Sequence, residues 1–320
     1  MKDSDVLDFL RAARPQFLSG EDISRKLKVS RSAVWKEIQH LRELGYRIDA
    51  EPHLGYRLVS IPDRMFADEL RHGLKTRWLG GKILSYESLD STNDSVYRLG
   101  EHAEKEGLCI FAEYQKKGRG RLGRAWVSPK HKAILFSVLL RPELSPGEIS
   151  KITLTAAVSV VRAVQKVTGR CLEIKWPNDI VFHGKKIGGI LTEMSAEADR
   201  VKFVVLGIGL NVNACLADLP AEASSLKEIL GMELPRLELA QSLLQELERD
   251  MNLLKKGRFK EIAKEWEEFS VTMGRRVAAT LADRKIHGMA TGIDATGALW
   301  IRKDNGLQER VLSGDIQHIR

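Results

Sequence analysis

The sequence predicts a multidomain α+β chain in three parts: a mostly helical N-terminal unit, a central mixed α/β domain and a C-terminal β-barrel of about 50 residues. Three observations predict it. Residues 1–61 place apolar side chains at helical spacing and end in two short alternating segments around a turn. Residues 63–270 alternate strand-like runs with helical ones, and from Gly274 the chain breaks into short β-rich pieces divided by turn residues. The boundaries expected from these changes of texture are 1–62, 63–272 and 273–320.

In the first part, Val6, Leu7, Phe9 and Leu10 stripe one helix. Ser19, with Asp22 three residues on, is a capping start for a second helix that ends near Leu27. Lys28-Val29-Ser30 makes a short turn, and Ser30 caps a third helix with Val34, Ile38, Leu41 and Leu44 on one face. Gly45 ends it. Tyr46-Arg47-Ile48 and Tyr56-Arg57-Leu58 then alternate around a Pro52…Gly55 turn, a hairpin, and Pro62 closes the unit. Two helices across a tight turn, followed by a hairpin, is the layout of a winged helix-turn-helix. Its third helix would offer Ser30, Arg31, Ser32 and Lys36 to phosphates and base edges. From Arg25 to Arg42 there are six cations and one acid, Glu37, so operator DNA is the expected partner. The alternative is a solvated face of a small interaction domain.

The central part carries strand-like runs at 82–86, 109–113, 133–140, 172–176, 188–194 and 201–210. Helices are expected at 92–102, 148–167, 235–254 and 259–266; in the third, Leu237, Leu239, Leu243, Leu244 and Leu247 form a broad packing face. The last part has β pieces at 276–281, 288–293, 299–301 and 309–312.

Composition excludes several classes. No run of apolar residues is long enough to span a bilayer, and the acidic start MKDSDVLDFL is no signal peptide. Cys109, Cys171 and Cys215 are odd in number, far apart and without a C-x-x-C, which excludes a disulfide framework or a thiolate zinc site. They read as small core residues, and His53, His102 and His131 show no ligand spacing, so no protein-held metal is expected. The expectation is a soluble cytoplasmic protein with no membrane attachment. Its net charge of +8 is concentrated: residues 116–141 hold eight cations and no acid.

Residues 118–126 within that stretch read G-R-G-R-L-G-R-A-W. The formal G-x-G-x-x-G is not a dinucleotide fingerprint, because Lys116-Lys117 precede it, arginines fill it and Trp126-Val127-Ser128-Pro129 opens no helix. A glycine-rich, arginine-dense loop is instead an anion clamp: backbone N–H groups approach a phosphate and guanidinium forks bind its oxygens. Such a loop is costly to order, so it is expected to close over its ligand. Three other segments read as polar turns at element ends: Ser91-Thr92-Asn93, Lys175-Trp176-Pro177-Asn178-Asp179 with Lys186 downstream, and Gly207-Ile208-Gly209-Leu210-Asn211.

In this order, S-T-N, G-R-G-R-x-G-R-x-W, K-W-P-N-D, K-I-x-G-I-L and G-I-G-x-N strongly resemble the biotin–protein ligases, over the chain from about residue 82 to its end. With a winged helix in front, the whole resembles the bacterial bifunctional form, ligase and biotin operon repressor. The resemblance implies a central domain like class II aminoacyl-tRNA synthetases and an SH3-like C-terminal barrel. It also implies two reactions: biotin and MgATP give biotinyl-5′-AMP, and a lysine of the biotin carboxyl carrier protein of acetyl-CoA carboxylase then takes the biotinyl group. The adenylate-bound form would pair into a homodimer and repress transcription.

The resemblance also assigns residues. Ser91, Thr92, Asn93 and Gln115 would bind the ureido and neighbouring parts of biotin, Gly118, Arg119, Gly120 and Arg121 would line the loop near its carboxylate, and Lys186 would hydrogen-bond that carboxylate. Arg119, Arg121, Arg124, Trp126, Asn178, Lys186 and Asn211 would meet the nucleotide. Lys186, Arg121, Asn178 and Asp179 would be catalytic, Asp179 by orienting or deprotonating the incoming lysine. Leu122 fills a variable position, residues 212–225 would fold over the adenine without a tryptophan, and Arg320 is the candidate basic barrel residue near ATP. A lipoate ligase, a biotin sensor without catalysis, and a ligase without repression are the alternatives.

Overall fold

This computed structural model describes residues 4–197, 200–281 and 284–319; Arg320 lies outside the described residues. The chain divides into two units, Met1–Arg64 and Met65–Arg320.

The first unit contains helices α1 (Ser4–Ala12), α2 (Gly20–Leu27) and α3 (Arg31–Glu43) and strands β1 (Arg47–Glu51) and β2 (Gly55–Ser60). The Ser19 hydroxyl accepts from the Glu21 N–H at 3.2 Å, and Ser30 from the Ala33 N–H at 3.1 Å, so each serine satisfies an otherwise orphaned donor. Lys28 is left-handed (φ 55°) and stops α2 abruptly. Val6, Leu7, Leu10, Ile23, Val34, Ile38, Leu41 and Leu58 are buried together. β1 and β2 pair antiparallel as the wing. Gly55 (φ +104°) is needed there, because a Cβ would strike the Leu18 carbonyl and come within 2.8 Å of Ser19 Cα.

The second unit is built on a seven-stranded mixed sheet. Its strands are β3 (Lys82–Tyr86), β4 (Leu108–Ala112), β5 (Ala133–Leu140), β6 (Glu173–Lys175), β7 (Asp179–Phe182), β8 (Lys185–Glu197) and β9 (Arg200–Asn211), in the order β3-β4-β5-β9-β8-β7-β6. Helices α4 (Ala67–Arg71) and α5 (Thr92–Glu101) flank it near its first strands. α6 (Ser150–Thr168) is buried along most of its length and packs on α8 (Arg236–Lys255) and α9 (Phe259–Phe269), while α7 (Leu226–Leu230) follows the long β9. A five-stranded antiparallel sheet ends the chain: β10 (Arg276–Thr280), β11 (Lys285–Ile293), β12 (Leu299–Arg302), β13 (Gln308–Val311) and β14 (Asp315–His318), ordered β13-β12-β11-β10-β14. One apolar core runs from β5 and α6 through Trp176 to Val277, Leu299 and Ile316, joining this sheet to the larger one.

Four differences from the sequence reading stand out. β7 starts at Asp179, the last residue of the expected polar turn, and is a short strand that makes Trp176-Pro177-Asn178 the bend of a β6–β7 hairpin. β14 was not expected, and neither were α4 and α7; all are too short for a periodicity to show. Cys109 is buried as expected, but Cys171 and Cys215 are exposed, since both lie in loops rather than in the apolar runs beside them. The cationic stretch is not a free positive surface. Lys117 pairs with Asp90, Lys130 with Glu87 and Lys132 with Glu233, and its arginines are likewise engaged.

Candidate functional site

A cavity of about 410 Å³ opens over β5, β8 and β9 and is walled by the arginine loop, the β6–β7 bend, residues 220–223 and β14. Ser91, Thr92, Asn93, Gln115, Arg119, Gly120, Arg121, Arg124, Trp126, Asn178, Asp179, Lys186 and Asn211 all line it. Gly118 is behind this wall: it bonds Trp126 through its carbonyl at 2.8 Å, and a Cβ on it would come within 2.6 Å of the Trp126 oxygen. Ser30, Arg31, Ser32 and Lys36 belong to the other unit, exposed at the start of α3. There the Ser30 oxygen already caps α3 and contacts Ser32 Oγ at 2.9 Å.

At one end of the cavity, Ser91 caps α5 with its hydroxyl, which accepts from Asp94 N–H. Gln115 Oε1 accepts from the Thr92 N–H at 2.7 Å and its hydroxyl at 3.0 Å, so the amide nitrogen of Gln115 is left as the donor end. Ser137 Oγ donates to Asn93 Oδ1 at 2.5 Å and is 2.7 Å from Thr92 Oγ1. Asn93 Nδ2 donates to Glu193 at 2.6 Å. Asn93 therefore has both ends of its carboxamide committed to the protein, which makes it a support of the site. Ser137 is the missed residue here; a lone hydroxyl inside the apolar run 133–140 was its only signal.

The floor is glycine for a steric reason. Gly189 and Gly209 are paired across β8 and β9, and the Trp126 indole lies on them. A Cβ at Gly209 would be 2.7 Å from Trp126 Cε2, and one at Gly189 would be 3.2 Å from Cζ3. The Lys186 ammonium is 6.0 Å from the centre of the same ring and 2.5 Å from Asp179 Oδ1. The Lys186 backbone is clamped by residues 222–224: its N–H donates to the Glu222 carbonyl, and its own carbonyl accepts from Ser224. Asn211 donates to the Ser224 carbonyl at 3.1 Å, while its Oδ1 and the Trp126 Nε1 are buried and unpaired within the protein.

The arginine loop is already folded as a small hairpin, with Arg119 and Ala125 bridged and Gly120 N–H donating to the Arg124 carbonyl at 2.7 Å. Leu122 at its tip is left-handed (φ 56°) and 73% exposed. Each guanidinium has an acidic neighbour. Arg119 meets Asp94 and Glu193, Arg124 meets Asp315, and Arg121 is 3.9 Å from Asp315 and donates to Asn178 Oδ1 at 3.2 Å. Carboxylates from β8, α5 and β14 thus order a loop expected to wait for a ligand. Burial draws the Arg121 guanidinium below its ordinary value, opposed by Asp315 and Asp179, and arginine stays charged. Asn178 also donates to the Ile190 carbonyl at 2.8 Å, so it holds Arg121 in place with its other end fixed to β8. Asp94, Glu193 and Asp315 were missed, Asp315 because β14 itself was.

Chemically, one cavity offers a hydrogen-bonding end at Thr92 and Gln115 beside the Arg119–Asp94–Glu193 pairs, a flat aromatic and glycine middle, and a cluster of Lys186, Arg121 and Arg124 whose counter-ions are the protein's own. A ligand with a polar head, an apolar stem and an anionic tail fits that sequence, and its anion can displace those carboxylates.

Three family models match the chain: HTH domain over residues 2–57, Biotin/lipoate A/B protein ligase family over 85–211, and Biotin protein ligase C terminal domain over 272–319. The bifunctional ligase/repressor BirA of Bacillus subtilis is 36% identical over 98% of this chain and 97% of its own. That of Escherichia coli is 31% identical over 99% and 98%. Among solved structures, the Aquifex aeolicus biotin protein ligase in complex with biotin and ATP superposes with a TM-score of 0.64 at 31% identity, covering 75% of this chain and 99% of that one.

Proposed function

Since the chain belongs to the biotin protein ligases, in their bifunctional ligase/repressor form, we propose that it is a biotin–[acetyl-CoA-carboxylase] ligase that also represses transcription. One observation supports this above the rest: Ser91, Thr92 and Gln115, the arginine loop and Lys186 all line a single cavity. In this reading the finer architecture is a class II synthetase-like domain at 63–272 and an SH3-like barrel at 273–320, behind a DNA-binding domain at 1–62, in a cytoplasmic protein. Among the described residues no helix is long and apolar enough to cross a membrane.

Biotin enters with its ureido ring against Thr92 and Gln115 and its carboxylate toward Arg119 and Arg121. The carboxylate oxygen attacks the α-phosphorus of ATP, the new O–P bond replaces that to pyrophosphate, and biotinyl-5′-AMP forms. Lys186 leaves Asp179 for the charge growing on the carboxylate and phosphate, and positioning and neutralisation supply the rate. Asn178 keeps Arg121 aimed. In the second reaction the ε-amine of the carrier lysine attacks the acyl carbon and AMP departs. Asp179, freed from Lys186, takes the proton of that amine. The base of the nucleotide would lie near Asn211, whose unpaired Oδ1 is an acceptor for an amino group, with Trp126 and Arg124 beside it. Of the cavity's three carboxylates among the described residues, Asp179 is held by Lys186 and Asp315 by Arg124, and only Glu222 remains. Mg²⁺ therefore fits as an ion carried on the ATP phosphates, where it would supply charge neutralisation.

With biotinyl-5′-AMP bound, two copies would pair and bind a two-fold operator through Ser30, Arg31, Ser32 and Lys36. The test is biotin-dependent ATP–pyrophosphate exchange together with biotin transfer to a carrier domain, read by streptavidin blot. Lys186→Ala should lower exchange at least about a hundredfold; exchange at the wild-type rate would overturn its role, and absence of both reactions in the wild type would overturn the enzyme. A gel shift indifferent to biotin and ATP would overturn the repressor half.

A further inference from the structure

Helix α3 has two unlike faces. Val34, Ile38 and Leu41 are buried, while Arg31, Ser32, Trp35, Lys36 and His40 are exposed and Gln39 is half-buried. Trp35 is 53% exposed and is the one exposed tryptophan among the described residues. At i+4 from Arg31 and i+3 from Ser32 it shares their face, with Lys36 beside it and Gln39 one turn on. An indole left in water gives up a large apolar burial, and nothing in the packing of this unit requires one at that place.

The surroundings decide what covers it. Six cations against one acid between Arg25 and Arg42 favour a polyanion. The short hydroxyls at the start of α3 and the wing beside it favour duplex DNA over an acidic protein. In the major groove the apolar group on offer is the thymine C5-methyl, and the base edge that matches a glutamine carboxamide is adenine N6/N7. We propose that Trp35 reads thymine methyl groups and that Gln39 bonds a neighbouring adenine, so each operator half-site carries an A·T core beneath α3. This inference rests on the operator-binding reading and names its specificity.

The probe is a random-sequence duplex pool, enriched by the full-length chain with biotin and ATP present. The winning duplex is then remade with deoxyuridine for thymidine, position by position, which removes only the methyl. Wild-type binding should weaken about fourfold for each methyl that Trp35 covers. Trp35→Ala should bind the thymidine duplex about tenfold more weakly, and should be indifferent to deoxyuridine at those positions; Trp35→Phe should recover part of the loss. Unchanged biotin-dependent exchange and thermal stability show that the variants are folded. If wild-type and Trp35→Ala respond alike to deoxyuridine, or Trp35→Ala binds as tightly as wild type, the assignment is overturned and Trp35 serves another partner. If no duplex is enriched at all, operator binding itself fails, and this inference with it.

Discussion

Gly207 lies on β9 opposite Ser137 of β5 and Leu191 of β8, and Asn93 fills the space above it. Changing Gly207 to alanine would put a Cβ inside the radius of Asn93 Oδ1 and 2.9 Å from its Cγ. The strands on either side are hydrogen-bonded, so Asn93 has to move rather than the backbone. Overpacking of this kind costs about 1–3 kcal/mol. Displacing Asn93 also breaks its bonds to Ser137 and to the Glu193 carboxylate, which adds about 1–2 kcal/mol. A total near 3 kcal/mol should lower the melting temperature by roughly 6–12 °C. Because Asn93 is coupled to Thr92 through Ser137, biotin should bind at least about tenfold more weakly at a temperature where the variant is folded. Calorimetric melting and biotin titration read the two effects. Gly147→Ala is the control, since no atom would lie within 4 Å of the added methyl and the backbone there is not left-handed; it should stay within about 0.5 kcal/mol of wild type. A Gly207→Ala protein with wild-type melting and wild-type biotin affinity would refute the view that Asn93 braces the site.

Other outcomes follow from the same geometry. Asp315→Asn removes the charge that holds Arg124 and lies beside Arg121. It should raise the ATP KM several-fold, consistent with about 1 kcal/mol of lost positioning, while leaving the melting temperature nearly unchanged; unaltered kinetics would count against a role for β14 in the site. Burial pushes the Asp294 carboxyl up, but hydrogen bonds from Thr296, Arg310 and the Ala298 N–H outweigh it and hold its pKa down at about 2. Its stabilising contribution is complete above the unfolded carboxylate value of about 4 and is lost as pH falls through 2. Melting followed from pH 5 to pH 2 should therefore fall less steeply in Asp294→Asn than in wild type. Gly55→Ala, which collides with the Leu18 carbonyl, should disrupt the wing and weaken DNA binding while pyrophosphate exchange stays at the wild-type rate.

Much of this molecule is legible in one dimension. The two changes of texture, the serine caps on α2 and α3, and strands such as Lys82–Tyr86 and Ala133–Leu140 follow from apolar runs, periodicity and capping, which are local properties of the chain. The site motifs were also visible, as a glycine–arginine loop and short polar segments at element ends whose order along the chain matches the ligase family. The uses to which their side chains are put were not. Asn178 reads as a reacting residue, but both ends of its amide are spent on Arg121 and Ile190. The loop with three arginines reads as an anion clamp, yet Asp94, Glu193 and Asp315 neutralise them, the last from 191 positions away in a strand too short to foresee. Local order along the chain sets which elements form and which chemical groups stand at their ends. Which of those groups are occupied by one another is settled only in the folded molecule, because a charge or an amide finds its partner through space, and no period along the chain encodes that distance.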